Sequence, residues 1–408
     1  MKKLNIKLKK PDFRALRVRK PQIKRGWLIF AVVSLAMCLA ALGCAAALKA
    51  TGNTLKSQQA AQRWAGESGV KYAQISVFAP KSGSFDKMKI MAFREKVRTA
   101  TADTLPKTVK NAMTDAWSAA GKVSIRGAHG SADASVIAVG GNYFYFHPLD
   151  IISGGYFSDS DLMNDRVLLD EELAWKLYGG SDLTGLTVTI DNTPFVVSGV
   201  VKREGDFADK AAYTAGAGLY MSFDAYNALL AASAPTTPPT DTSGAASSGS
   251  AAAPTPTTPA APVQKAAISC YEAVLPNPVK GFAQNLVASE LNADKSCEIV
   301  ENSARYTTDG TWGVLKNFGK RTLHTDAIEL PYWENAARLV ENRCALFLLL
   351  ELIFWLCPVV FACIMLVKLF KYLRLKLREK YLDLKDRYEN RTLFHSMKGS
   401  DDNGGTDA

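Results

Sequence analysis

Residues that could support a reaction are few and widely spaced in this 408-residue chain. No two of the four histidines have the spacing of a metal or proton-transfer motif. Neither a Gly-x-Ser-x-Gly nucleophile turn nor a Gly-x-Gly-x-x-Gly dinucleotide loop occurs in the sequence. We therefore predict no catalytic, cofactor or metal site and expect that the chain is not an enzyme. The four histidines are His129, His147, His324 and His395.

Two stretches resemble functional sites but depart from the required pattern. Residues 313–320 place five residues, not four, between the glycines of a phosphate-binding loop, and Arg321 stands where Ser or Thr would bind magnesium. Four aspartates between residues 159 and 170 lack the spacing of a calcium-binding loop. A solvated loop that ends in a helix N-cap at Asp170 explains these acids.

Two uninterrupted apolar segments, 26–48 and 345–367, predict membrane-spanning helices. Each would extend about 35 Å as an α-helix, which is enough to cross the hydrocarbon core of a bilayer. Their one ionisable residue, Glu351, is a candidate intramembrane polar site, with snorkelling or a bond to the other helix as the alternative. Pro358 is a candidate helix kink because it removes a backbone donor.

The formal net charge of +10 is distributed around these segments. Residues 1–25 contribute +10 and residues 368–408 contribute +3, so the part between them carries −3. A basic excess next to both spans predicts a plasma-membrane protein with both termini cytoplasmic and the main domain extracytoplasmic. Topology and contact with anionic lipid explain the basic charge, and we expect no nucleic-acid partner.

The first span and the cysteines leave alternatives open. The basic stretch and the apolar segment are both longer than in a signal peptide, which favours an uncleaved anchor. Residues 41–44 nevertheless resemble a lipoprotein cleavage site, so Cys44 is either lipidated or a membrane-buried cysteine. Of the seven cysteines, only Cys270 and Cys297 fall well inside the exported region. They are a candidate disulfide if the outside is oxidising.

Between the spans, residues 71–330 predict a globular domain with both strands and helices. Apolar and polar residues alternate in several short segments, whereas others have helical spacing. Residues 231–267 are rich in Ala, Pro, Ser and Thr and predict a disordered insertion. The predicted strands include 71–78, 123–126, 134–139, 268–275 and 298–300, and the predicted helices are 85–100, 106–120 and 278–291.

Residues 166–201 have the densest local signals. A short apolar run ends at Asp170, a natural helix N-cap, and two acids follow in the first helical turn. Gly179 and Gly180 end the helix, and two alternating segments then flank a turn at residues 191–194. This order predicts strand, short helix and hairpin.

The same residues carry a family resemblance. The sequence EELAWKLYGGSDLTGLTVTI followed by FVVSGVV resembles the extracytoplasmic core domain of MacB-like and FtsX-like ABC transporter permeases, and the resemblance extends over residues 71–303. It implies an α+β extracytoplasmic domain, a mixed sheet with packed helices, held between two transmembrane helices. Family members have three spans after this domain, whereas one is predicted here, so we expect a shortened form.

The resemblance also implies partners and a function. It predicts a non-catalytic, permease-like membrane subunit of an ABC-type complex whose outer domain binds a partner or substrate. The expected partners are the lipid bilayer, a separate ABC ATPase or larger permease subunit, a second copy, and an extracytoplasmic protein. The alternative is a bitopic cell-envelope scaffold or binding protein without a transport role.

The remaining segments complete the predicted organisation. Residues 1–25 form a basic cytoplasmic tail, residues 49–70 a stalk and residues 331–344 a pre-membrane helix. Residues 368–408 form a basic amphipathic cytoplasmic helix and polar tail, in which one apolar stripe has helical spacing. The stripe is a candidate partner or membrane face, and a solvated extension of the span is the alternative. Its members are Leu373, Leu377, Tyr381, Leu384 and Tyr388.

Overall fold

A computed structural model describes most of the chain between residues 25 and 401. The described residues are 25–67, 69–80, 85–101, 112–213, 218–233, 265–291, 296–321 and 328–401, without the side chains of 320–321 and 389–401. The predicted basic tail and most of the predicted insertion therefore lie outside them. The chain divides into two compact units, one from Ala47 to Leu348 and one that combines the residues up to Ala46 with those from Leu349.

The first of these units is built on a mixed sheet of ten strands within the described residues. The strand order is β10-β1-β9-β2-β3-β8-β5-β7-β4, and β6 pairs with both β2 and β7. The β3–β8 and β5–β7 pairs are parallel and the others antiparallel. Because β6 joins β7 back to β2, six strands close into a ring. The strands are β1 (Tyr72–Phe78), β2 (Thr114–Arg126), β3 (Ser131–Gly141), β4 (Asp150–Gly154), β5 (Arg166–Asp170), β6 (Thr187–Ile190), β7 (Thr193–Lys202), β8 (Gly218–Ser222), β9 (Cys270–Pro276) and β10 (Glu298–Glu301).

Helices cover both faces of the sheet. On one face, β1 and β9 present apolar residues such as Ile75 and Tyr271 to a large core. On the other face the same strands carry buried polar residues, and a second, aromatic core forms there. The confirmed class is α+β. The helices are α1 (Arg25–Gly52), α2 (Ala60–Ala65), α3 (Lys87–Thr101), α4 (Tyr143–Phe146), α5 (Glu171–Tyr178), α6 (Phe207–Ala212), α7 (Phe223–Ala232), α8 (Phe282–Leu291), α9 (Thr308–Lys316), α10 (Phe318–Arg321) and α11 (Tyr332–Asp401).

The prediction for residues 166–201 is confirmed as β5, α5 and the β6–β7 hairpin. Asp170 caps α5, since its Oδ1 accepts a hydrogen bond from the Leu173 N–H at 2.7 Å. Gly179 ends the helix in the left-handed conformation at φ 73°. Asp191 and Asn192 both have positive φ at the hairpin turn, as a tight two-residue connection requires.

The helix predicted at 106–120 is wrong over its described part. Residues 114–120 belong to β2, which pairs with β3 from Ala116 to Arg126 and with β9 from Thr114 to Ser118. Six consecutive residues from Thr114 are buried because the strand is covered on both faces. A strand buried on both faces loses its alternating pattern, so this segment resembled a helix in sequence. Residues 106–111 lie outside the described residues.

The segment predicted as a stalk, 49–70, packs against the domain. Leu55 and Ala60 are buried, and the Ala60 N–H donates to Gln74 Oε1 at 2.9 Å. The Gln74 amide in turn donates to the Ser57 carbonyl oxygen at 2.7 Å. Since Gln74 lies in β1, this polar segment is fixed to the sheet by buried hydrogen bonds.

The disulfide candidate does not form. Cys270 and Cys297, both within the described residues, are not joined. Cys270 contributes to the aromatic core, whereas Cys297 packs against the core on the other face. Strand β1 also separates them, because Phe78 pairs with Cys270 on one side and Glu298 on the other. Two strand spacings, about 10 Å, exceed the Cα separation that a disulfide allows.

Among the residues that the structure describes, two helices are long and apolar enough to cross a membrane by length and composition: α1, and α11 up to Tyr388. In the unit that contains most of both, Trp27 and Phe30 contact Phe361 with ring centroids 6.3 and 5.3 Å apart. The Lys368 ammonium lies 3.2 Å from the centre of the Trp27 ring. The two helices are therefore packed together near one end by aromatic and cation–π contacts.

Gly199 gives a direct test of the sheet geometry, because β7 passes closest to β4 at this residue. An added Cβ would lie 2.5 Å from the Ser153 carbonyl oxygen and 2.8 Å from the Gly155 nitrogen. Since both are backbone atoms, we expect Gly199→Ala to lower the free energy of unfolding by about 1–3 kcal/mol in denaturant titration of the detergent-solubilised chain. At Gly155 an added Cβ meets nothing within 4 Å. Gly155→Ala should therefore stay within about 0.5 kcal/mol of wild type, and equal effects of the two variants would contradict the geometry.

Candidate functional site

The first three turns of α11 place apolar and charged side chains on adjacent faces. Trp333, Ala337 and Cys344 are buried against the domain. Beside them, Glu334 and Glu341 are also buried, which is unusual for carboxylates and requires partners.

Arg305 supplies the opposite charge. It follows the 3-10 turn Asn302–Ala304, and its side chain is 2% exposed. Nη2 donates to Glu334 Oε1. Nη1 donates to Gln58 Oε1 at 3.0 Å. Nε lies 2.7 Å from Glu341 Oε1, but the N–H is not aligned for a hydrogen bond, so this contact is an ion pair.

Arg338, one turn after Glu334, extends the group. Its Nε donates to Glu334 Oε1 at 2.9 Å, and it also pairs with Glu298 at the start of β10. We call Gln58, Arg305, Glu334, Arg338 and Glu341 the base cluster. It joins three separate parts of the chain: the segment after α1, the turn after β10 and the start of α11.

Electrostatics keep Arg305 and Arg338 charged. Burial opposes the charge on Arg305, but Glu334 and Glu341 more than offset that cost and raise its pKa above the ordinary value. The same balance raises the pKa of Arg338. A buried network of this kind stabilises one arrangement of its members, because separating any pair leaves a charge in a low-dielectric interior.

An apolar layer lies next to the base cluster. Leu55, Ala336 and Val340 form a small core together with Ala208 of α6. Tyr306 packs on Gly52, the last residue of α1, where a Cβ would lie only 2.8 Å from the Tyr306 Cβ. The end of α1 and the start of α11 are thus fixed in the same unit.

A buried polar pair lies under Trp333. His147 Nε2 contacts Glu272 Oε2, and both side chains are almost fully buried. The second Glu272 oxygen accepts from the Ser76 hydroxyl at 3.0 Å. Tyr143 stacks on His147 at 4.6 Å, and the Trp333 ring lies 4.5 Å from the imidazole. This pair connects β9 with the first turn of α11 through aromatic packing.

A small pocket of about 60 Å³ opens beside Asp170. Asp170 Oδ2 accepts from Arg203 Nη2 at 2.6 Å and from the Gly218 N–H at 2.6 Å. Burial raises the pKa of Asp170, although the Leu173 N–H and Arg203 oppose that shift. The residue predicted as an N-cap therefore also holds β8 and the end of β7 together.

Three tyrosines line the same pocket. Tyr213 stacks on Tyr332 at 4.4 Å, and the Tyr332 hydroxyl donates to Glu204 Oε2 at 3.2 Å. The Tyr220 hydroxyl lies 3.3 Å from that of Tyr332. Burial raises the pKa of both Tyr220 and Tyr332, so these hydroxyls remain neutral donors. The residues around the pocket are a second place where the domain contacts the start of α11.

Asp209, a buried residue of α6, predicts a pH dependence. Burial and the neighbouring Asp206 and Glu204 carboxylates raise the pKa of Asp209 from 3.8 to about 8. Because the folded state holds this proton more tightly than the unfolded state, stability should fall as pH rises from about 4 to about 8. Asp209→Asn removes this titration. We therefore expect the free energy of unfolding of the variant, relative to wild type, to increase between pH 5 and pH 8 by up to a few kcal/mol.

Denaturant titrations of the detergent-solubilised chain at pH 5, 6.5 and 8 measure this difference. Asp309→Asn is the control, because that carboxylate is 85% exposed and should show no such trend. A constant difference between Asp209→Asn and wild type across the series would contradict a raised pKa at Asp209.

The buried polar side chains described above are paired with one another. Arg305 and Arg338 engage the carboxylates of α11, and Arg203 engages Asp170. The hydroxyls of Tyr213 and Tyr332 donate to Glu204. Within the ranges described from 25 to 401, no three His, Cys, Asp or Glu residues are grouped closely enough to hold a metal ion. The paired side chains hold the segment after α1, the turn after β10 and the start of α11 together.

The other site residues predicted from sequence stay predictions. Glu351 is half-buried in α11, and Pro358 lies inside that unbroken helix. Leu377, Leu384 and the other three members of the apolar stripe are exposed.

The residues of the base cluster were missed by sequence analysis. The available signal was the placement of Glu334, Arg338 and Glu341 at i, i+4 and i+7, just before an apolar span. Such spacing puts charges on one helix face and is common on solvated helices. What it could not indicate is that Arg305 would be buried against that face.

Comparison with known proteins agrees with this fold. The family model for the MacB-like periplasmic core domain matches residues 33–266, more than half of the chain. No curated protein sequence matches the chain. The chain belongs to the MacB-like periplasmic core domain family, and it therefore carries the periplasmic domain of an ABC-type transporter permease family.

Three solved structures match part of this chain. The extracellular domain of the noncanonic ABC-type transporter YknZ from Gram-positive bacteria is 14% identical, with 56% of this chain and 100% of that chain covered and a TM-score of 0.35. The periplasmic region of MacB from Actinobacillus actinomycetemcomitans is 14% identical, with 60% and 95% covered and a TM-score of 0.36. A domain of a permease from Porphyromonas gingivalis is 10% identical, with 56% and 88% covered and a TM-score of 0.27. At these scores the family assignment rests on the match to residues 33–266.

Proposed function

We propose that this chain is a non-catalytic, permease-like subunit of an ABC-type transporter complex, and that its extracytoplasmic domain moves with its membrane helices. The observation that supports this most is the burial of Arg305 between Gln58, which follows α1, and Glu334 and Glu341 of α11. Both chain segments that lead to the predicted spans are held by one side chain.

Helix continuity supports the same mechanism. α1 extends to Gly52 and α11 begins at Tyr332, so neither predicted span is separated from the domain by a loop. In this proposal, motion of either span reaches the base cluster through the chain segment that leads from that span to the cluster. The energy source in this proposal is a separate ATPase on the cytoplasmic side, with both termini of this chain in the cytoplasm.

The exposed apolar stripe of α11 is the proposed contact with that ATPase or with a larger permease subunit. Its members Leu377 and Leu384 are 67% and 65% exposed. Leu375 lies on the same helix but on another face, and it is 61% exposed. The same Leu→Glu substitution can therefore be made on either face of the helix, so that only its position differs.

Affinity purification of the tagged full chain from its native membrane tests the proposal. We expect mass spectrometry to find an ABC ATPase in stoichiometric amount and the purified complex to hydrolyse ATP. Leu377→Glu should reduce the recovery of the ATPase, and its combination with Leu384→Glu should remove it, whereas the matched single variant Leu375→Glu should retain it. Recovery of intact chain without any nucleotide-binding polypeptide contradicts the proposal.

A bitopic envelope scaffold is the second candidate. It is favoured by the two candidate spans found within the described residues, because two helices do not by themselves enclose a path for a substrate. In that case removal of residues 231–267 should weaken capture of an extracytoplasmic partner and leave transport unchanged. Loss of an ATP-dependent activity in the same deletion would favour the transporter.

A further inference from the structure

Two exposed aromatic side chains belong to short helices, one that packs on α11 just before the predicted second span and one that begins two residues after Tyr306, which packs on the end of α1. Phe207, at the start of α6, is 55% exposed, and Trp312, in α9, is 52% exposed. Large aromatic side chains are normally buried in a soluble domain. Exposed ones on helices connected with the ends of both predicted spans therefore suggest a contact surface.

The position of Phe207 is fixed by α11. The Arg343 guanidinium lies 3.6 Å from the centre of the Phe207 ring, and Ala208 is buried against Ala336, Val340 and their neighbours. Arg343 precedes the predicted span, which begins at residue 345, by two residues, or about 3 Å of helix. Phe207 therefore lies at the level where the hydrocarbon core begins.

The position of Trp312 is fixed through α1. Tyr306 packs on Gly52, which follows the predicted span by four residues, or about 6 Å of helix. The headgroup layer is several ångströms thick on each side of a bilayer, so Tyr306 lies within it. α9 begins at Thr308, two residues after Tyr306, and Trp312 is on its second turn.

The two faces of α9 differ in the way expected of a helix at an interface. Thr311 and Val314 are buried against the domain, whereas Trp312 and Lys316 are exposed. Tryptophan is enriched at the headgroup level because its ring is apolar and its N–H remains polar. Lysine and arginine extend from the same level to the phosphates.

We propose that Phe207 and Trp312, with Arg343 and Lys316, form a lipid-contact surface by which the extracytoplasmic domain lies on the outer leaflet of the bilayer. The surface binds the headgroup region and not the hydrocarbon core, since each aromatic is accompanied by a cation and belongs to a short helix that also packs on the domain. It limits the directions in which the domain can move when the spans move. This inference rests on the membrane topology within the proposed function, but not on an ATPase.

Quenching of tryptophan fluorescence by brominated lipid tests the proposal on the full chain. The probe is a vesicle of phosphatidylcholine and phosphatidylglycerol with bromine atoms high on the acyl chains, into which the chain is reconstituted. We expect brominated lipid to quench the emission of Trp312, because an interfacial tryptophan lies at the level of the upper acyl chains. Trp312→Phe should therefore remove a quenched component, and Phe207→Trp should add one.

Trp175→Phe is the matched control. Trp175 is 57% exposed on α5, outside the proposed lipid-contact surface. Its removal should lower total emission and leave the quenched component unchanged. If emission from Trp312, or from the indole that Phe207→Trp introduces, is insensitive to brominated lipid, the proposal is overturned and that face is left to a protein partner. Quenching of both reporters without any ATPase in the complex separates this inference from the function proposed above.

Discussion

Arg305→Met should lower the free energy of unfolding by about 3–5 kcal/mol, because it leaves buried carboxylates without a guanidinium between them. Glu341 loses its 2.7 Å ion pair, and Gln58 loses its hydrogen bond to the same side chain. Glu334 retains Arg338 at 2.9 Å, which keeps the loss from being larger. Chemical denaturation of the full chain in detergent, followed by near-ultraviolet circular dichroism, measures the change.

Two variants make this expectation specific to buried charge. Arg305→Met combined with Glu341→Leu removes both charges and should recover much of the loss, as a double-mutant cycle would show. Lys280→Met breaks an ion pair whose side chains are 82% and 85% exposed, and it should change stability by less than about 0.5 kcal/mol. If the single and double variants at the base cluster unfold alike, Arg305 and Glu341 are not coupled and the account of the cluster is wrong.

Trp333→Ala should lower the free energy of unfolding by about 3–5 kcal/mol through loss of buried packing. Trp333 is 4% exposed and lies between His147 and Tyr332, at ring distances of 4.5 and 5.1 Å. Its indole N–H has no hydrogen-bond partner among the described residues, so the expected loss comes from apolar contact and the cavity left behind. The same denaturation experiment measures it.

The loss at Trp333 should also be local. Hydrogen exchange of the first turns of α11 should increase more than exchange of α3 and α8, whose buried residues belong to the core on the other face of the sheet. Trp175→Ala, at a half-exposed tryptophan of α5, should cost less than about 1 kcal/mol. Equal losses from the two substitutions would mean that Trp333 does not hold α11 to the domain.

Local signals were sufficient for the part of the fold that carries the family resemblance. Residues 166–201 were predicted as strand, helix and hairpin because Asp170, Gly179 and the turn at Asp191 act on neighbours within a few residues. Caps and turns of this kind depend on backbone geometry that the local sequence encodes.

Strand pairing between distant residues could not be predicted from local sequence patterns. Residues 114–120 form a strand because β9, more than 150 residues later, supplies one edge partner. The alternation that identifies a strand is lost when both faces are covered, and the sequence then carries no local sign of it. The failed disulfide has a similar cause, since strand order places β1 between the two cysteines.

The candidate site was the least predictable part. Arg305 and Gln58 are 247 residues apart, and Arg305 and Glu334 are 29 apart. A charged residue is far more often solvated than buried, so each member suggests a surface position when considered by itself. Only their meeting at the two chain segments next to the spans makes them a candidate coupling site.

Nucleotide-dependent hydrogen exchange in the purified complex tests the central claim most directly, namely that the base cluster transmits membrane-helix motion to the domain. We predict that ATP with vanadate changes the exchange of residues 302–306 and of the first turns of α11 in wild type. In the Arg305→Met variant the membrane helices should still respond, whereas the domain should not. A nucleotide response of the membrane helices that leaves the base cluster unchanged in wild type would contradict the account.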